Sequence, residues 1–184
     1  MGPAYVPYPD GEYARGAKWF HWLTVPPVVV LLASGLLIRF IADDVKMRFY
    51  TVHESLGLLA FVLMAARLTY RLRNPPPPMA PHIPPLERMG AEATHHLVYA
   101  LLLVQPVLGF LTTNLYGFPQ QGATAFLGVI DLPRLMEASA ELALTLHWAH
   151  SITGWLLVPA IVAHVGGVLV HHVGKRDGTL MRML

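Results

Sequence analysis

Histidines are the residues of this chain whose type and placement favour metal or redox chemistry, and there are ten of them. Half of them lie between Leu142 and Gly174, a stretch that contains no Asp, Glu, Lys or Arg. Imidazoles in a segment long enough to cross a bilayer are costly unless they have a partner. We therefore treat these side chains as candidate ligands. The five are His147, His150, His164, His171 and His172.

The chain has no cysteine. This excludes disulfides, iron–sulfur clusters, cysteine-containing zinc sites and the covalent attachment of a c-type haem. Any metal or redox cofactor must be held through histidine. We find no pattern that indicates a catalytic nucleophile or a proton-transferring carboxylate, so no catalytic residue is predicted.

Spacing places two of these histidines on one face of a helix. His150 and His164 are fourteen residues apart, which puts them within about 40° of each other around a helix and about 21 Å apart along its axis. One helix can thus offer a ligand near each surface of a membrane.

Composition indicates the elements that must position these side chains. The chain is 54% hydrophobic and only 13% charged, which is typical of a membrane protein. We predict one all-α transmembrane domain over residues 1–184, a bundle of four helices. A proline-rich loop over 74–85 and a loop over 117–141, with a short amphipathic helix beginning near Leu132, join the later spans. The spans are about 19–40, 49–72, 91–116 and 142–173.

The distribution of Lys and Arg predicts the orientation. Nine of the thirteen Lys and Arg residues fall in the two terminal segments and around the proline-rich loop. The other four fall in the segments at the opposite end of the predicted bundle. The positive-inside rule therefore predicts that both termini and the loop over 74–85 are cytoplasmic.

With this topology two pairs of histidines face each other across the bundle. His21 meets His164 toward the cytoplasm, and His53 meets His150 toward the outside. Two imidazoles on opposing helices are typical of haem b, whereas zinc usually needs four ligands, or three and water. Gly57 and Gly154 follow two of these histidines at i+4, where they either admit a flat porphyrin or serve helix packing.

Other side chains compete for these roles or support them. His171 lies seven residues after His164 on nearly the same face, so spacing alone leaves it as a rival ligand, and His147 is a similar rival of His150. His95 and His96 are candidates for contacts with a haem propionate or a quinone, or are ordinary interfacial residues. Three arginines are either propionate partners or topology signals. They are Arg67, Arg71 and Arg73.

Several short motifs, taken together, resemble one family. They are Lys-Trp-Phe-His-Trp at 18–22, His-Glu-Ser-Leu-Gly at 53–57, His-Leu-Val-Tyr at 96–99, and the histidines at 150 and 164. In this order they are similar to the bacterial cytochrome b561 family of four-helix di-haem membrane proteins. That family is related to the cytochrome b subunits of formate dehydrogenases and nickel–iron hydrogenases. The resemblance implies two haem b groups, with axial ligand pairs His21–His164 and His53–His150, and it makes His171 a less favoured ligand.

The resemblance also indicates a function. We expect a cytochrome of the bacterial inner membrane that transfers electrons to or from a quinone such as ubiquinone, and superoxide oxidation at the outer face is an activity that the family suggests. The alternative is a haem-bearing anchor of a larger dehydrogenase or hydrogenase. A non-redox metal or proton transporter is a third class, which an optical spectrum would distinguish.

Overall fold

A computed structural model describes residues 11–79, 83–118 and 125–184, and four long helices dominate it. They are α1 (Arg15–Leu37), α2 (Asp43–Arg73), α3 (Pro85–Leu115) and α4 (Ala140–Leu169). Each contains a stretch that is long and apolar enough to cross a membrane. The prediction of an all-α four-helix membrane bundle is therefore confirmed. Shorter elements are a 3-10 turn at Ile38–Phe40, a π turn at Val170–Lys175 and a 3-10 turn at Leu180–Met183.

Local chemistry fixes where the helices begin. Pro85 is the first residue of α3, a position at which its missing N–H and fixed φ cost nothing. Asp43 and Asp44 lie in the first turn of α2, where negative charge suits the helix dipole. Ser139 caps α4, and its hydroxyl accepts from the amide of Leu142. The starts of α2, α3 and α4 thus follow from residues that favour a helix start.

The interior core is small, and most apolar side chains point outward. Outward-facing residues such as Val62 and Trp155 are 62% and 56% exposed. Such exposure suits a protein whose surroundings are hydrocarbon rather than water. The buried cluster at the centre of the bundle consists of Val28, Met64, Leu101, Leu102, Leu157 and Ala160.

The bundle has two distinct ends. At the terminal end, the amide of Tyr13 donates to the carbonyl of Arg182, which joins the two terminal segments. At the loop end, a hairpin of β1 (Ala125–Phe126) and β2 (Ile130–Asp131) lies against α2, because the Leu127 amide donates to the Ser55 hydroxyl at 2.8 Å. The hairpin turn places Gly128 at a φ of +73°, which glycine adopts without strain.

The helix predicted to begin near Leu132 does not form, so that prediction is wrong. Residues 132–139 have no helical structure. Asn114 at the end of α3 is buried, and its side chain accepts from the Leu135 amide at 2.8 Å and donates to the Pro133 carbonyl. These backbone groups are therefore bound to a side chain rather than to a helical turn. Parts of both predicted connectors, residues 80–82 and 119–124, lie outside the described residues.

Candidate functional site

The histidines of α2 and α4 meet near the loop end. The rings of His53 and His150, which we call the loop pair, have centroids 6.3 Å apart and are nearly perpendicular. Because an imidazole nitrogen binds a metal at about 2 Å, two rings on opposite sides of one metal ion have centroids roughly 6 Å apart. The loop pair therefore has the separation that a six-coordinate iron with two axial imidazoles requires.

Hydrogen bonds fix the tautomers of the loop pair. The Ser34 hydroxyl donates to the Leu31 carbonyl at 3.0 Å, so its oxygen must accept from Nδ1–H of His53 at 2.6 Å. Nδ1–H of His150 donates to the Gln105 carbonyl at 3.1 Å. In both rings Nε2 is therefore unprotonated and free to bind a metal, and a second interaction orients each ring.

Glycines near the loop pair have different roles. A Cβ at Gly109 would lie 3.1 Å from Cε1 of His150, so this glycine admits the imidazole. A Cβ at Gly154 would lie 2.8 Å from Nε2 of Gln105, so the structure supports helix packing rather than cofactor clearance there. Among the described residues, no atom outside the neighbouring backbone lies within 4 Å of a Cβ built at Gly57.

The terminal end holds a cluster of three imidazoles. The rings of His21 and His164, the terminal pair, have centroids 6.1 Å apart, close to the value in the loop pair. The ring of His95, on α3, lies still nearer to His164, with centroids 5.2 Å apart. Geometry therefore brings the predicted pair together and adds His95 as a neighbour that helical spacing did not assign.

Two arginine side chains of α2, Arg67 and Arg71, lie near the terminal pair. Nη2 of Arg67 lies 2.9 Å from Nδ1 of His21, and the guanidinium groups of Arg67 and Arg71 stand over the Tyr99 ring at 5.1 and 5.4 Å. Because arginine only donates, Nδ1 of His21 accepts and the proton of the neutral ring lies on Nε2. His21 can present Nε2 to a metal only when Arg67 releases Nδ1. Arg73, in contrast, is exposed in the last turn of α2.

The rival histidines have other partners. Nδ1 of His171 lies 2.5 Å from Asp177, and Nε2 lies 3.3 Å from Glu87, so both ring nitrogens face carboxylates. His147 packs edge-on against Trp148. His172 lies in the same π turn as His171. None of these arrangements resembles the opposed rings of the two pairs.

Each histidine pair lies on two helices that pack mainly against other helices. α4 packs mainly against α3 and α1 mainly against α2, whereas α4 makes few contacts with α1. Both pairs span helices that are not close packing partners. The donors are imidazoles alone, the ring separations suit one iron between two imidazoles, and the paired helices are not packed tightly together, so the residues present fit haem.

A cavity of about 290 Å³ opens beside the terminal pair. Its polar wall comes from α2 and α3, and His95 belongs both to this wall and to the imidazole cluster. The remaining wall comes from Tyr13 in the N-terminal segment and from residues 76–79 of the proline-rich connector, the loop predicted over 74–85. The lining residues are Tyr13, Arg71, Pro76, Pro77, Pro78, Met79, Glu92, His95 and His96.

Sequence reasoning missed the supporting groups. Ser34 is one hydroxyl in an apolar run, and Gln105 acts through its backbone carbonyl, which no side-chain motif reveals. His95 was named as a candidate, but its contact with His164 was not predicted. A signal existed for Ser34 alone, because an isolated polar residue in a membrane span usually has a partner.

Fold and site together define a class: a four-helix membrane protein with a histidine pair near each end of its bundle. Comparison with known proteins gives the family. The family model described as prokaryotic cytochrome b561 matches residues 12–184. The chain belongs to the prokaryotic cytochrome b561 family.

Individual relatives cover nearly the whole chain. Cytochrome b561 homolog 2 of Escherichia coli K12 is 31% identical over 90% of this chain and 87% of the relative. A probable superoxide oxidase, CybB, of Yersinia pestis is 30% identical over 89% of this chain and 90% of its own length. Cytochrome b561 homolog 1 of Escherichia coli K12 is 28% identical over 94% of this chain and 97% of the relative. The protein is therefore a multi-pass bacterial membrane cytochrome of b type, which takes part in electron transfer with haem b as its cofactor.

Proposed function

We propose that this protein is a di-haem cytochrome that transfers electrons between the two ends of its bundle, with a quinone as one redox partner. His21 and His164 would hold one haem b, and His53 and His150 the other. The observation that carries the proposal is the matched geometry of the two pairs, with ring centroids 6.1 and 6.3 Å apart at opposite ends of the bundle.

The residues of the chain have separate roles in this function. A bound haem supplies one-electron chemistry, and the protein sets its position and surroundings. Ser34 and the Gln105 carbonyl orient the loop pair. Arg67 and Arg71 supply positive charge near the terminal pair, where anionic propionates need partners. The buried apolar cluster around Met64 occupies the interior of the bundle between the pairs.

We also propose the orientation and the limits of the embedded segments. The excess of Lys and Arg at the terminal end supports a bacterial inner-membrane protein with both termini and the loop over 74–85 in the cytoplasm. The loop over 117–141 then lies outside. Embedded stretches of about 19–40, 49–72, 91–116 and 142–173 fall largely within the four helices.

The cavity at the terminal end supports a quinone as partner. Arg71, His95 and His96 offer hydrogen-bond donors, and three prolines and Met79 offer apolar surface. His95 also contacts His164, so a molecule in the cavity would lie close to the terminal haem. The similarity to a probable superoxide oxidase supports superoxide as electron donor at the loop end, which makes superoxide:quinone oxidoreductase the proposed activity.

Spectroscopy and turnover of the purified protein test this function. We expect two haem b per chain by pyridine haemochrome, reduction of both by superoxide, and reoxidation by a short-chain ubiquinone. One haem per chain would contradict the di-haem proposal. A stable dehydrogenase or hydrogenase partner that co-purifies from native membranes, together with no turnover of the isolated chain, would favour the anchor-subunit alternative.

A further inference from the structure

The last residues of the chain return across the terminal end of the bundle. This segment, Asp177–Met183, we call the C-terminal clasp. At its start Oδ1 of Asp177 accepts from the amide of Thr179 at 3.1 Å and from its hydroxyl at 2.6 Å, which fixes the turn. Near its end the Met183 carbonyl accepts from Nε1 of Trp22 at 2.9 Å. The clasp thus has a fixed turn at its start and a contact with α1 near its end.

Arg182 is the residue through which the clasp joins the other segments. Its Nε donates to the Gly11 carbonyl at 2.5 Å, and its Nη2 donates to the Pro78 carbonyl at 2.8 Å. A longer contact of 3.3 Å reaches the Pro77 carbonyl. The guanidinium also stands over the Tyr13 ring, with Cζ 5.7 Å from its centroid. One side chain therefore ties the N-terminal segment to the proline-rich connector.

These contacts matter because the same segments form one wall of the cavity. Tyr13, Pro77 and Pro78 line it opposite the polar residues of α2 and α3. Helical residues are held by their own backbone hydrogen bonds, whereas an extended proline segment has none of its own. Arg182 supplies the missing donors to that wall, and its guanidinium can serve several acceptors at once.

We propose that Arg182 is a positioning residue for the cavity: it holds Tyr13 and the proline-rich connector in place, so that a planar hydrogen-bonding ligand of the quinone class binds between them and α3. The identity of the ligand rests on the proposed function, whereas the positioning of the wall does not. Arg182 does not line the cavity itself and acts through the residues that do.

The absence of cysteine permits a direct test in the haem-loaded protein. Met79→Cys introduces a single thiol on the wall of the cavity, whose rate of reaction with a maleimide reports access. Adding Arg182→Met should raise this rate by roughly tenfold, the factor expected when a wall loses a hydrogen bond to a charged group. Arg176→Met is the matched control, because Arg176 is exposed and lies six residues earlier; its labelling rate should not change.

A second readout separates positioning from a merely structural role. In the otherwise unaltered chain, Arg182→Met should raise KM for a short-chain ubiquinone by roughly tenfold and leave kcat and the haem spectrum almost unchanged. If Arg182→Met does not load haem, Arg182→Lys replaces it. Lysine cannot span the Gly11 and Pro78 carbonyls as the planar fork does, so labelling should still be severalfold faster.

An unchanged labelling rate in the Arg182 variants would overturn the proposal, as would an unchanged KM together with normal quinone turnover. Failure of the proposed function has a different signature. If ubiquinone neither slows labelling of the Met79→Cys protein nor accepts electrons from it, the quinone assignment is wrong, and the labelling comparison still decides whether Arg182 holds the wall.

Discussion

The two ends of the bundle hold similar pairs of histidines in different electrostatic surroundings. At the loop end the rings are oriented by neutral groups, the Ser34 hydroxyl and the Gln105 carbonyl. At the terminal end His21 contacts the guanidinium of Arg67, and His95 lies beside His164. Positive charge favours the reduced form of a nearby redox centre, because reduction adds an electron. The comparison therefore predicts a higher reduction potential for a haem held at the terminal end than for one held at the loop end.

Removing a ligand should have the largest effect, and it tests whether each pair is a haem site. His150→Ala should abolish one of the two proposed haems, since that haem would lose one of the two imidazoles that would hold it. Pyridine haemochrome measured per chain gives the stoichiometry. His147→Ala, one turn away on the same helix, is the control and should keep both haems.

The same measurement decides the partner of His164. His21→Ala should lose the terminal haem, whereas His95→Ala should retain it. The opposite result would show that His95, whose ring is the nearer of the two to His164, is the true ligand. The terminal site would then connect α3 with α4 rather than α1 with α4. His171→Ala should lose neither haem, since that ring lies between Asp177 and Glu87.

The bundle and the meeting of the paired histidines could be predicted because both follow from simple geometry. Four apolar spans must alternate in direction, and the helical rise then sets the depth of His21, His53, His150 and His164. The approach of His95 to His164 depends on the rotation of α3 about its axis, which neighbouring helices determine. The non-helical path after Leu132 depends on Asn114, a distant side chain that binds backbone groups of that segment.

Loss of the Ser34 hydroxyl should weaken only the loop site. Ser34→Ala leaves Nδ1 of His53 without its acceptor, and loss of such an outer partner typically costs ten- to a hundredfold in affinity for the metal. The rate at which an excess of apomyoglobin removes each haem measures this effect. Ser34→Thr keeps the hydroxyl and should behave like the wild type. Equal loss from both haems would contradict a local role for Ser34.

Charge removal at the terminal end should shift a reduction potential without loss of haem. Arg67→Gln should lower the potential of the terminal haem by about 60 mV, the equivalent of a tenfold change in a one-electron equilibrium. A spectroelectrochemical titration of both haems provides the measurement. Arg39→Gln is the control at the loop end, where Arg39 packs over the Phe40 ring. If Arg67→Gln shifts the reduction potential of the haem at the loop end and not that of the terminal haem, the proposed electrostatic difference between the two ends is wrong.

The smallest effect concerns the clasp at the terminal end. Burial opposes the charged form of Asp177, but hydrogen bonds from Thr179 and the contact with His171 outweigh it, so the pKa of this carboxyl lies below its ordinary value. A carboxyl whose pKa is lowered on folding stabilises the fold at pH values above its pKa in the unfolded chain. This contribution is lost as the pH falls through its pKa in the folded protein. Asp177→Asn should therefore lower the melting temperature by no more than about 3 °C at pH near 5, since a partly exposed pair contributes under about 1 kcal/mol. The difference from wild type should shrink below about pH 4, where the unfolded chain begins to bind a proton at this carboxyl, and it should vanish once the pH has fallen through the lower folded pKa. Loss of haem absorbance on heating measures the melting temperature. Asp131→Asn in the hairpin is the control, and its melting temperature should equal that of the wild type. A difference between Asp177→Asn and the wild type that grows with acidification would show that Asp177 does not stabilise the clasp through its charge.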